Sequence, residues 1–388
     1  MKVLYANPVF LDYRLPFYKK LNELFEGNFH VMFSKERYRI LGREDLYKQI
    51  IDELGENAHP LLTDFLFDTH SMSFHMKDIN KGKHIPLTFG LMRAIRKIKP
   101  DILITEGFFQ WTPLVILYGK IFGIPVYIGY ERTPHTERNS GKIKKYHRKL
   151  TDKFVKGYLV NGSQTKEYLE SLNISPDKIH IGGMSADGSG LIKDIQRMKP
   201  KDKDELKNNL RINDKGVTFL FVGRLCEEKG IGHLLKIWMD HIDNFKNDKL
   251  IVVGGGIIQN KLEKKFIHSS VYFAGSVPYN EVYKYYSIAQ VFILPTLQDN
   301  WSLVIPEAMS CGLPVATTIY NGCYPELVKK DINGYVFDIL DKESVMQTLA
   351  YFHKVDLKAF GSNSKIIEKD FDTEHCALRV YNALTQYK

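Results

Sequence analysis

The chain has 388 residues, of which 44% are hydrophobic and 12% aromatic, and its formal net charge is +9. This composition excludes a disordered chain and, at a length beyond that of most single domains, predicts two domains with sizeable cores. The positive excess lies in residues 1–200, which hold 31 Lys and Arg against 22 Asp and Glu, so the first domain is basic and the second is not.

Short β-branched or aromatic segments alternate with longer amphipathic segments, a pattern typical of βα units around a parallel sheet. The predicted strands of the first half are KVLYA, FHVMF, DILIT, PVYIGY, GYLVN and KIHIG, and those of the second half are VTFLFVG, KLIVVGG, VYFAG, VFILP, PVATT and YVF. We therefore predict an α/β protein with two Rossmann-like, doubly wound domains that face a ligand-binding cleft.

The domain boundaries follow from composition. A segment rich in Gly, Ser and charge is the predicted linker, at residues 184–203. The first domain then covers residues 1–190 and the second covers residues 200–370. We expect residues 371–388 to form a closing helix that packs back on the first domain.

Two basic clusters, residues 77–99 and 142–156, carry most of the positive excess. In IPLTFGLMRAIRKIK, apolar residues recur at helical spacing beside basic ones. The apolar set is Leu87, Leu91, Ile95 and Ile98, and the basic set is Arg93, Arg96, Lys97 and Lys99. This pattern predicts reversible binding to an anionic membrane surface. The alternative is that the stripe packs on the sheet while its charges face water.

In the second half, FLFVGRLCEEKGIGHLLKIW predicts a buried strand, a glycine-flanked loop and a helix. Arg224 lies at the end of the strand and Lys229 lies just before Gly230. Both side chains are placed to reach an anion held over the amino terminus of the helix. A solvated surface turn is the alternative. A second glycine turn, at residues 252–256, favours close approach of the backbone, or is simply a tight turn.

The segment LQDNWSLVIPEAMSCGLPVATT places Asp299 and Glu307 eight positions apart around the start of a helix. Ser302 is the predicted N-cap, and Pro306 fits only in a first turn, so the helix is expected to begin at residues 302–306. Asp299 then lies in the preceding loop, with Glu307 about one turn inside. Ordinary acidic residues at a helix start are the alternative.

Together these motifs resemble the donor-binding domain of retaining glycosyltransferases of family 4, which have the GT-B fold. The resemblance covers about residues 217–340 and rests on GRLCEEKG, DNWSLVIPEAMSCGLPVATT, NGCYPELV and NGYVF. It implies that Arg224 and Lys229 bind the donor diphosphate, that Glu307 binds the ribose and that Asp299 contacts the transferred sugar. The implied donor-binding set is Gly223, Arg224, Lys229, Gly254, Val277, Asp299, Asn300, Trp301, Ser302, Leu303 and Glu307.

This sequence departs from the family pattern in both halves. Asp299 replaces the usual Glu, and Trp301 stands where Phe is common, so the preferred sugar stays open. The first half resembles the family in topology alone. There, NPVFLDYRLPFYKKL replaces a glycine-rich loop, and Arg14 within it is either an acceptor or phosphate contact or a surface residue. In YIGYERTPHTER, the resemblance implies that His135 lies near the donor sugar, with Glu131 as its neighbour.

The expected reaction moves a sugar from a nucleoside diphosphate donor, with UDP as the expected nucleotide, to an acceptor hydroxyl with retention. The catalytic candidates are His135, Asp299, Arg224 and Lys229. A preorganised positive field stabilises the departing diphosphate, so neither a metal nor another cofactor is expected. The membrane hypothesis favours a lipid-linked glycan acceptor, as in surface polysaccharide assembly. A soluble acceptor is the alternative.

Other function classes fit less well. A sugar-nucleotide epimerase of the same fold would share the donor site. A nicotinamide-dependent dehydrogenase would need GxGxxG with an acid about twenty residues on, and a nucleic-acid-binding module would need an RNP, KH or helix-turn-helix pattern. Neither is present in the sequence.

The remaining sequence features concern location. The amino-terminal segment is interrupted by Asn7 and Pro8, unlike a signal peptide, and the four cysteines form no CxxC pair or metal-ligand spacing. We therefore expect a cytoplasmic protein, associated peripherally with the inner face of the membrane.

Overall fold

A computed structural model describes residues 1–9, 14–35, 44–61, 64–67, 85–88, 90–186, 188–213 and 215–386. In the first half the strands are β1 (Val3–Ala6), β2 (Phe29–Ser34), β3 (Ala58–Leu61), β4 (Asp64–Phe67), β5 (Ile85–Thr88), β6 (Ile102–Glu106), β7 (Val126–Tyr130), β8 (Gly157–Val160) and β9 (Ile179–Ile181). Seven of them form a parallel sheet in the order β3-β2-β1-β6-β7-β8-β9, and β4 and β5 pair antiparallel.

The helices of the first half cover both faces of this sheet or follow its strands. They are Leu15–Leu24, Glu44–Leu54, Leu91–Ile98, Thr112–Phe122, Lys142–Thr151 and Ser163–Glu170. Strand β1 is buried along its whole length, as expected for a strand covered on both faces.

The second half repeats this plan. Its strands are β10 (Thr218–Val222), β11 (Lys249–Val253), β12 (Val271–Gly275), β13 (Val291–Leu294), β14 (Val315–Thr318) and β15 (Gly334–Phe337). They form a six-stranded parallel sheet in the order β12-β11-β10-β13-β14-β15. The principal helices are Ile231–Asn244, Gln259–Lys265, Tyr279–Ile288, Val304–Ser310, Lys342–Tyr351 and Leu357–Lys369. The prediction of two doubly wound parallel-sheet domains is confirmed.

The segment predicted as the linker, residues 184–203, contains regular structure. Most of this segment lies in the helices Gly188–Arg197 and Pro200–Asn209. Leu191 anchors the first of these in the core of the second domain, and Pro200 begins the second at a position where its missing N–H costs no hydrogen bond. The high charge of the segment lies on the exposed sides of these helices.

The chain ends with a helix that returns to the first domain. This helix, Thr373–Thr385, packs against Leu15–Leu24, and its residues Ala377, Val380 and Leu384 are buried in the first-domain core. The Arg379 guanidinium donates a hydrogen bond to the Gly182 carbonyl at 3.2 Å. The two domains are therefore joined by two chain crossings rather than one.

The apolar stripe predicted for the first basic cluster does not face a membrane. Leu87 lies in β5, and the helix starts only at Leu91. Leu91, Ile95 and Ile98 are buried in the core, so the alternative reading, packing on the sheet, is correct. The basic residues of this helix, Arg93, Arg96, Lys97 and Lys99, are exposed. The part of the cluster at residues 77–84 lies outside the described residues.

None of the helices in the described ranges has the length and apolar character needed to cross a bilayer.

Candidate active site

Glycine lets three loops of the second domain meet at the carboxyl ends of their strands. Gly254, after β11, approaches the loop after β10 so closely that an added Cβ would lie 1.9 Å from the Gly223 carbonyl oxygen. Gly230 has φ +65° and would place a Cβ 1.9 Å from the Pro295 carbonyl oxygen, after β13. A larger residue at either position would push these loops apart.

Lys229 and Asp299 form one unit in this cluster of loops. The Leu297 amide donates to the Glu228 carbonyl at 2.8 Å, which ties the loop after β13 to the loop after β10. Across this tie, the Lys229 ammonium forms an ion pair with the Asp299 carboxylate, and both side chains are mostly buried. Arg224 lies on the same loop and is exposed. The loops therefore carry two cations and a carboxylate at one edge of the sheet.

The helix that follows Asp299 is Val304–Ser310, and its N-cap is Leu303, without a side-chain cap. The prediction that Ser302 is the N-cap is therefore wrong. The Ser302 hydroxyl donates a hydrogen bond to the Asp299 carboxylate, and such a bond is strengthened by the negative charge of its acceptor. Pro306 does lie in the first helical turn. Ser302 thus helps to hold the Asp299 carboxylate beside Lys229.

Glu307 is buried and held through both carboxylate oxygens. Oε1 accepts a hydrogen bond from the Tyr279 hydroxyl at 3.2 Å, and Oε2 accepts one from the Tyr286 hydroxyl at 3.0 Å. Burial, and then the nearby Glu307 charge, raise the pKa of Tyr286 well above its ordinary value, so this hydroxyl stays a donor. A carboxylate oxygen accepts more than one hydrogen bond, so Glu307 keeps capacity for ligand hydroxyls. Sequence reasoning missed both tyrosines.

A loop of the first domain, residues 131–140, reaches across to the second domain. His135 Nε2 lies 2.9 Å from the Leu297 carbonyl oxygen, and its ring packs on Tyr320 at 4.8 Å between centroids. The Asn300 amide donates to Glu131 Oε1 at 3.4 Å. Burial, with the charges of Glu106 and Asp299, raises the pKa of Glu131. The structure therefore brings His135, Glu131 and the Asp299 loop together.

The Trp301 side chain lies at the junction of the domains and is buried. Its indole N–H donates to the Met184 carbonyl at 2.9 Å, and its ring lies 5.8 Å from that of Phe371. A Cβ on Gly162 of the first domain would approach the Trp301 ring to 2.6 Å. This packing places the Trp301 indole at the junction of the domains, and its expected part in donor binding stays a prediction. Val277 is half-buried against the second-domain core.

The first domain contains a cavity of about 350 Å³ at the carboxyl ends of β1, β6, β7 and β8. At its floor, Glu106 accepts hydrogen bonds from the Tyr5 hydroxyl and the Asn7 amide, each at 2.5 Å, and forms an ion pair with Arg14. Arg14 is therefore not a solvated surface residue but part of the cavity wall. Its charge is matched by Glu106, which weakens the case for Arg14 as a phosphate ligand.

Three residues that line the cavity, Tyr130, Arg148 and Asn161, each have a buried polar side-chain atom without a hydrogen-bond partner among the described residues; for Arg148 the atom is Nε. The other two atoms are Asn161 Nδ2 and the Tyr130 hydroxyl. Burial also raises the pKa of Tyr130, which keeps its hydroxyl a donor. A buried polar group without a partner costs free energy, and a hydroxyl-bearing ligand would remove that cost.

The cavity is also lined by a buried ion pair between Glu137 and Arg148, with Nη1 and Oε2 2.8 Å apart. Burial opposes ionisation of Glu137, but hydrogen bonds from Arg148 and Ser140 outweigh it and lower the pKa of Glu137 to about 2. The Arg148 guanidinium lies over the rings of Phe108, Tyr130 and Tyr168. This pair anchors the loop that carries His135.

One cluster has the donor atoms of a metal site, His241, Asp248 and His353. It lies at the amino end of β11, opposite the loops described above. Both His Nε2 atoms are 2.8 Å from Asp248 Oδ2, and His241 Nδ1 is buried without a partner among the described residues. Metal-bound imidazole needs an acceptor for its other N–H, so this arrangement suits two hydrogen bonds to one carboxylate better than an ion.

Two Rossmann-like domains, with loops from the carboxyl ends of both sheets meeting between them, define the GT-B fold. In such α/β folds, ligands bind at this edge of the sheets.

The comparisons with known proteins agree with this fold class. Residues 202–366 match the family model described as Glycosyl transferases group 1. The crystal structure of HepE from Anabaena in complex with UDP superposes with a TM-score of 0.75 over 100% of both chains, at 12% identity. Residues 202–366 are thus similar to glycosyl transferases group 1 domains, and the chain as a whole has the GT-B fold.

Two curated relatives extend the comparison. The uncharacterized glycosyltransferase MJ1607 of Methanocaldococcus jannaschii is 30% identical over 138 residues, which is 34% of this chain and 35% of that protein. This match thus spans about a third of each. Alpha-monoglucosyldiacylglycerol synthase of Acholeplasma laidlawii is 23% identical over 312 residues, 73% of this chain and 74% of that protein.

Proposed function

We propose that this protein is a retaining glycosyltransferase that moves a sugar from a UDP-sugar to a hydroxyl of a lipid-linked glycan. The observation that carries the proposal is the meeting of His135, from the first domain, with the loop that holds Asp299 beside Lys229. A donor bound there would contact both domains, with its diphosphate at the cations and its sugar at the domain boundary.

Each residue then has a defined task. Arg224 and Lys229 bind the diphosphate and stabilise the charge that develops as it leaves. Glu307 binds the ribose hydroxyls, while Asp299 and His135 hold the transferred sugar. The anomeric carbon–phosphate oxygen bond breaks as the acceptor oxygen bonds to the same face of that carbon. The acceptor proton passes to the leaving phosphate.

The ion pair between Lys229 and Asp299 suggests how the site responds to its donor. Without a ligand, the two charges neutralise each other in a partly buried position. A diphosphate offers Lys229 a stronger partner, because it carries more charge than one carboxylate. Asp299 would then be released to accept hydrogen bonds from sugar hydroxyls. Donor binding would thus prepare the carboxylate that recognises the sugar.

Two relatives support the finer choices of donor and acceptor. The crystal structure of HepE from Anabaena was determined with UDP, and the Acholeplasma relative is named for synthesis of a glycosylated diacylglycerol. The cavity of the first domain, with the unpartnered Asn161 and Tyr130 atoms, would hold the acceptor.

Thermal shift against a panel of nucleotide sugars tests the donor site, since a ligand that binds the folded state raises the melting temperature by mass action. We expect UDP-sugars to raise it, and the rise to shrink in Lys229→Ala but not in Lys236→Ala, an exposed lysine on the next helix. No shift with any nucleotide sugar would contradict the proposal. Conversion of the donor to an epimer without transfer would favour an epimerase.

A further inference from the structure

One face of the first domain exposes large apolar side chains at high density. We name this the apolar-basic face. Its apolar members are Phe109, Leu117, Ile121, Phe122, Ile143, Tyr146, Leu150 and Phe154, each at least 42% exposed. Contiguous exposed apolar surface of this kind marks an interaction site rather than ordinary surface.

These residues lie on neighbouring elements and form one surface. The Lys120 ammonium of helix Thr112–Phe122 lies 4.7 Å from the centre of the Phe154 ring, just beyond helix Lys142–Thr151. Phe109 stacks on His147 of that same helix at 5.1 Å between ring centroids. The two helices therefore present their apolar residues side by side.

Helix Lys142–Thr151 exposes apolar residues that a helix packed only on its own domain would bury. Ile143 is 87% exposed and Tyr146 is 69% exposed, while the residues buried on the opposite side are Arg148 and Thr151. Helices of soluble domains normally bury the apolar side and expose the polar one. The exposed apolar side thus needs a partner outside the domain.

The charges on this face identify that partner. Lysines alternate with the apolar residues and are exposed: Lys120, Lys142, Lys145, Lys149 and Lys153. Apolar side chains flanked by lysines are the pattern of surfaces that insert shallowly at a bilayer while basic groups bind anionic head groups. An acidic partner without an apolar surface would leave the isoleucine and aromatic side chains in water.

We propose that the apolar-basic face docks the protein on an anionic lipid bilayer, a role that rests on the proposed lipid-linked acceptor. Phe109 belongs both to this face and to the wall of the cavity. Lys144 and Arg148, on helix Lys142–Thr151, also line the cavity. An acceptor whose lipid stays in the bilayer therefore reaches the cavity beside Phe109. Helix Leu91–Ile98 plays a lesser part, because its exposed side offers charge alone.

The test is cosedimentation with vesicles of phosphatidylcholine, with and without phosphatidylglycerol. We expect binding only with phosphatidylglycerol, and loss of most binding as NaCl rises from about 0.1 M to about 0.5 M. The triple variant Ile143→Ser, Tyr146→Ser, Leu150→Ser should lower the partition coefficient by about tenfold or more. Ile267→Ser, at an equally exposed isoleucine of the second domain, should leave it unchanged.

A second variant set separates the two basic clusters. Changing Lys142, Lys145 and Lys149 to Gln should weaken binding by about fivefold per lysine, whereas changing Arg93, Arg96, Lys97 and Lys99 to Gln should weaken it less. The docking proposal is overturned if the wild-type chain binds neither vesicle. Wild-type binding by the serine variant would overturn it as well. A dimer that the serine variant breaks would show that a second copy, not a bilayer, covers this face.

Donor binding provides the control that separates this proposal from the proposed function. The serine variant should show the wild-type thermal shift with nucleotide sugar, because its substitutions lie away from the donor loops. Loss of vesicle binding with donor binding intact supports the docking role. A chain that binds vesicles as expected but binds no nucleotide sugar would keep the docking face and remove the transferase proposal.

Discussion

Three residues of the proposed donor site, Lys229, Asp299 and Glu307, already have protein partners in the structure without a ligand. Lys229 is paired with Asp299, and Glu307 is held by Tyr279 and Tyr286. Such pairing fixes each side chain in place, so little conformational entropy remains to be lost on binding. A substitution at one residue of a pair also removes the hydrogen bond or ion pair of its partner, so its effect includes the effect on that partner.

Loss of either cation should slow the chemical step. Arg224→Ala or Lys229→Ala removes a contact that strengthens as the diphosphate departs, at a cost on the order of 2 to 4 kcal/mol in the transition state. Steady-state kinetics should show a lower kcat as well as a higher KM. The matched control is Lys236→Ala. Wild-type turnover in both variants would remove the diphosphate assignment.

Substitutions of Glu307 and Asp299 should have different effects on nucleotide binding and on transfer. Glu307→Gln should weaken binding of every nucleotide, including free UDP, because the ribose contact does not involve the sugar. Asp299→Asn should leave UDP affinity nearly intact and reduce transfer. Isothermal titration with UDP and a transfer assay compare the two. Equal loss of UDP affinity in both variants would contradict this division of tasks.

Glu368 should make stability depend on pH. Burial, and then Asp372, raise its pKa to about 7, whereas an unfolded chain ionises near the ordinary glutamate value of about 4.3. Between these values the folded chain holds an extra proton, so stability falls as pH rises. Glu368→Gln should therefore raise the unfolding free energy at about pH 8 by on the order of 2 kcal/mol, and by much less at about pH 5. Urea unfolding at both pH values measures this, and an equal gain at both would contradict it.

At the scale of the elements, the loop at residues 131–140 lines the first-domain cavity and reaches the second domain, so it would link the proposed acceptor and donor sites. Within this loop, Glu137 forms the ion pair with Arg148 of the first domain. His135 of the same loop contacts the Leu297 carbonyl of the second domain. The geometry of this loop thus depends on a buried ion pair within the first domain.

Breaking that ion pair should loosen the loop. Arg148→Met leaves Glu137 buried without its main partner, and breaking such a pair costs about 3 to 5 kcal/mol of stability. The double variant Arg148→Met, Glu137→Gln should recover part of that stability, because no unpaired charge remains. Thermal unfolding of the single and double variants checks this. A double variant less stable than the single one would show that the pair acts in another way.

The sequence allowed the elements to be predicted where local pattern decides structure. Each of its twelve predicted strand segments corresponds to a strand, because β-branched and aromatic residues favour the extended conformation. The strands β3, β4 and β5 were missed, and β3 reads AHPL, with a proline and no β-branched residue. In the linker segment, the many charges gave no sign that Met184 and Leu191 are buried in the core of the second domain.

Within the site, sequence reasoning found residues but not their pairings. Arg224, Lys229, Asp299 and Glu307 follow from motifs at strand ends and helix starts. The ion pair between Lys229 and Asp299 joins positions 70 residues apart and depends on how two loops pack. Tyr279 and Tyr286 lie on an ordinary amphipathic helix, and no local signal distinguishes them from core residues.

The whole molecule divides its tasks between the domains. The second domain carries the Lys229–Asp299 pair of the proposed donor site, and the first carries the cavity, the net positive charge and the apolar-basic face. The returning helix Thr373–Thr385 and the buried Trp301 hold the two together. This division suits an enzyme that takes a charged soluble donor from one side and a membrane-bound acceptor from the other.

The stereochemistry of the product, read from its anomeric proton by NMR, tests the proposed reaction. Incubation with a UDP-sugar that binds and a lipid-linked acceptor should give a product with the donor's anomeric configuration, together with free UDP. Lys229→Ala should form this product more slowly, and Lys236→Ala should form it at the wild-type rate. A product of inverted configuration, or hydrolysis of the donor with no transfer to any acceptor, would contradict a retaining glycosyltransferase.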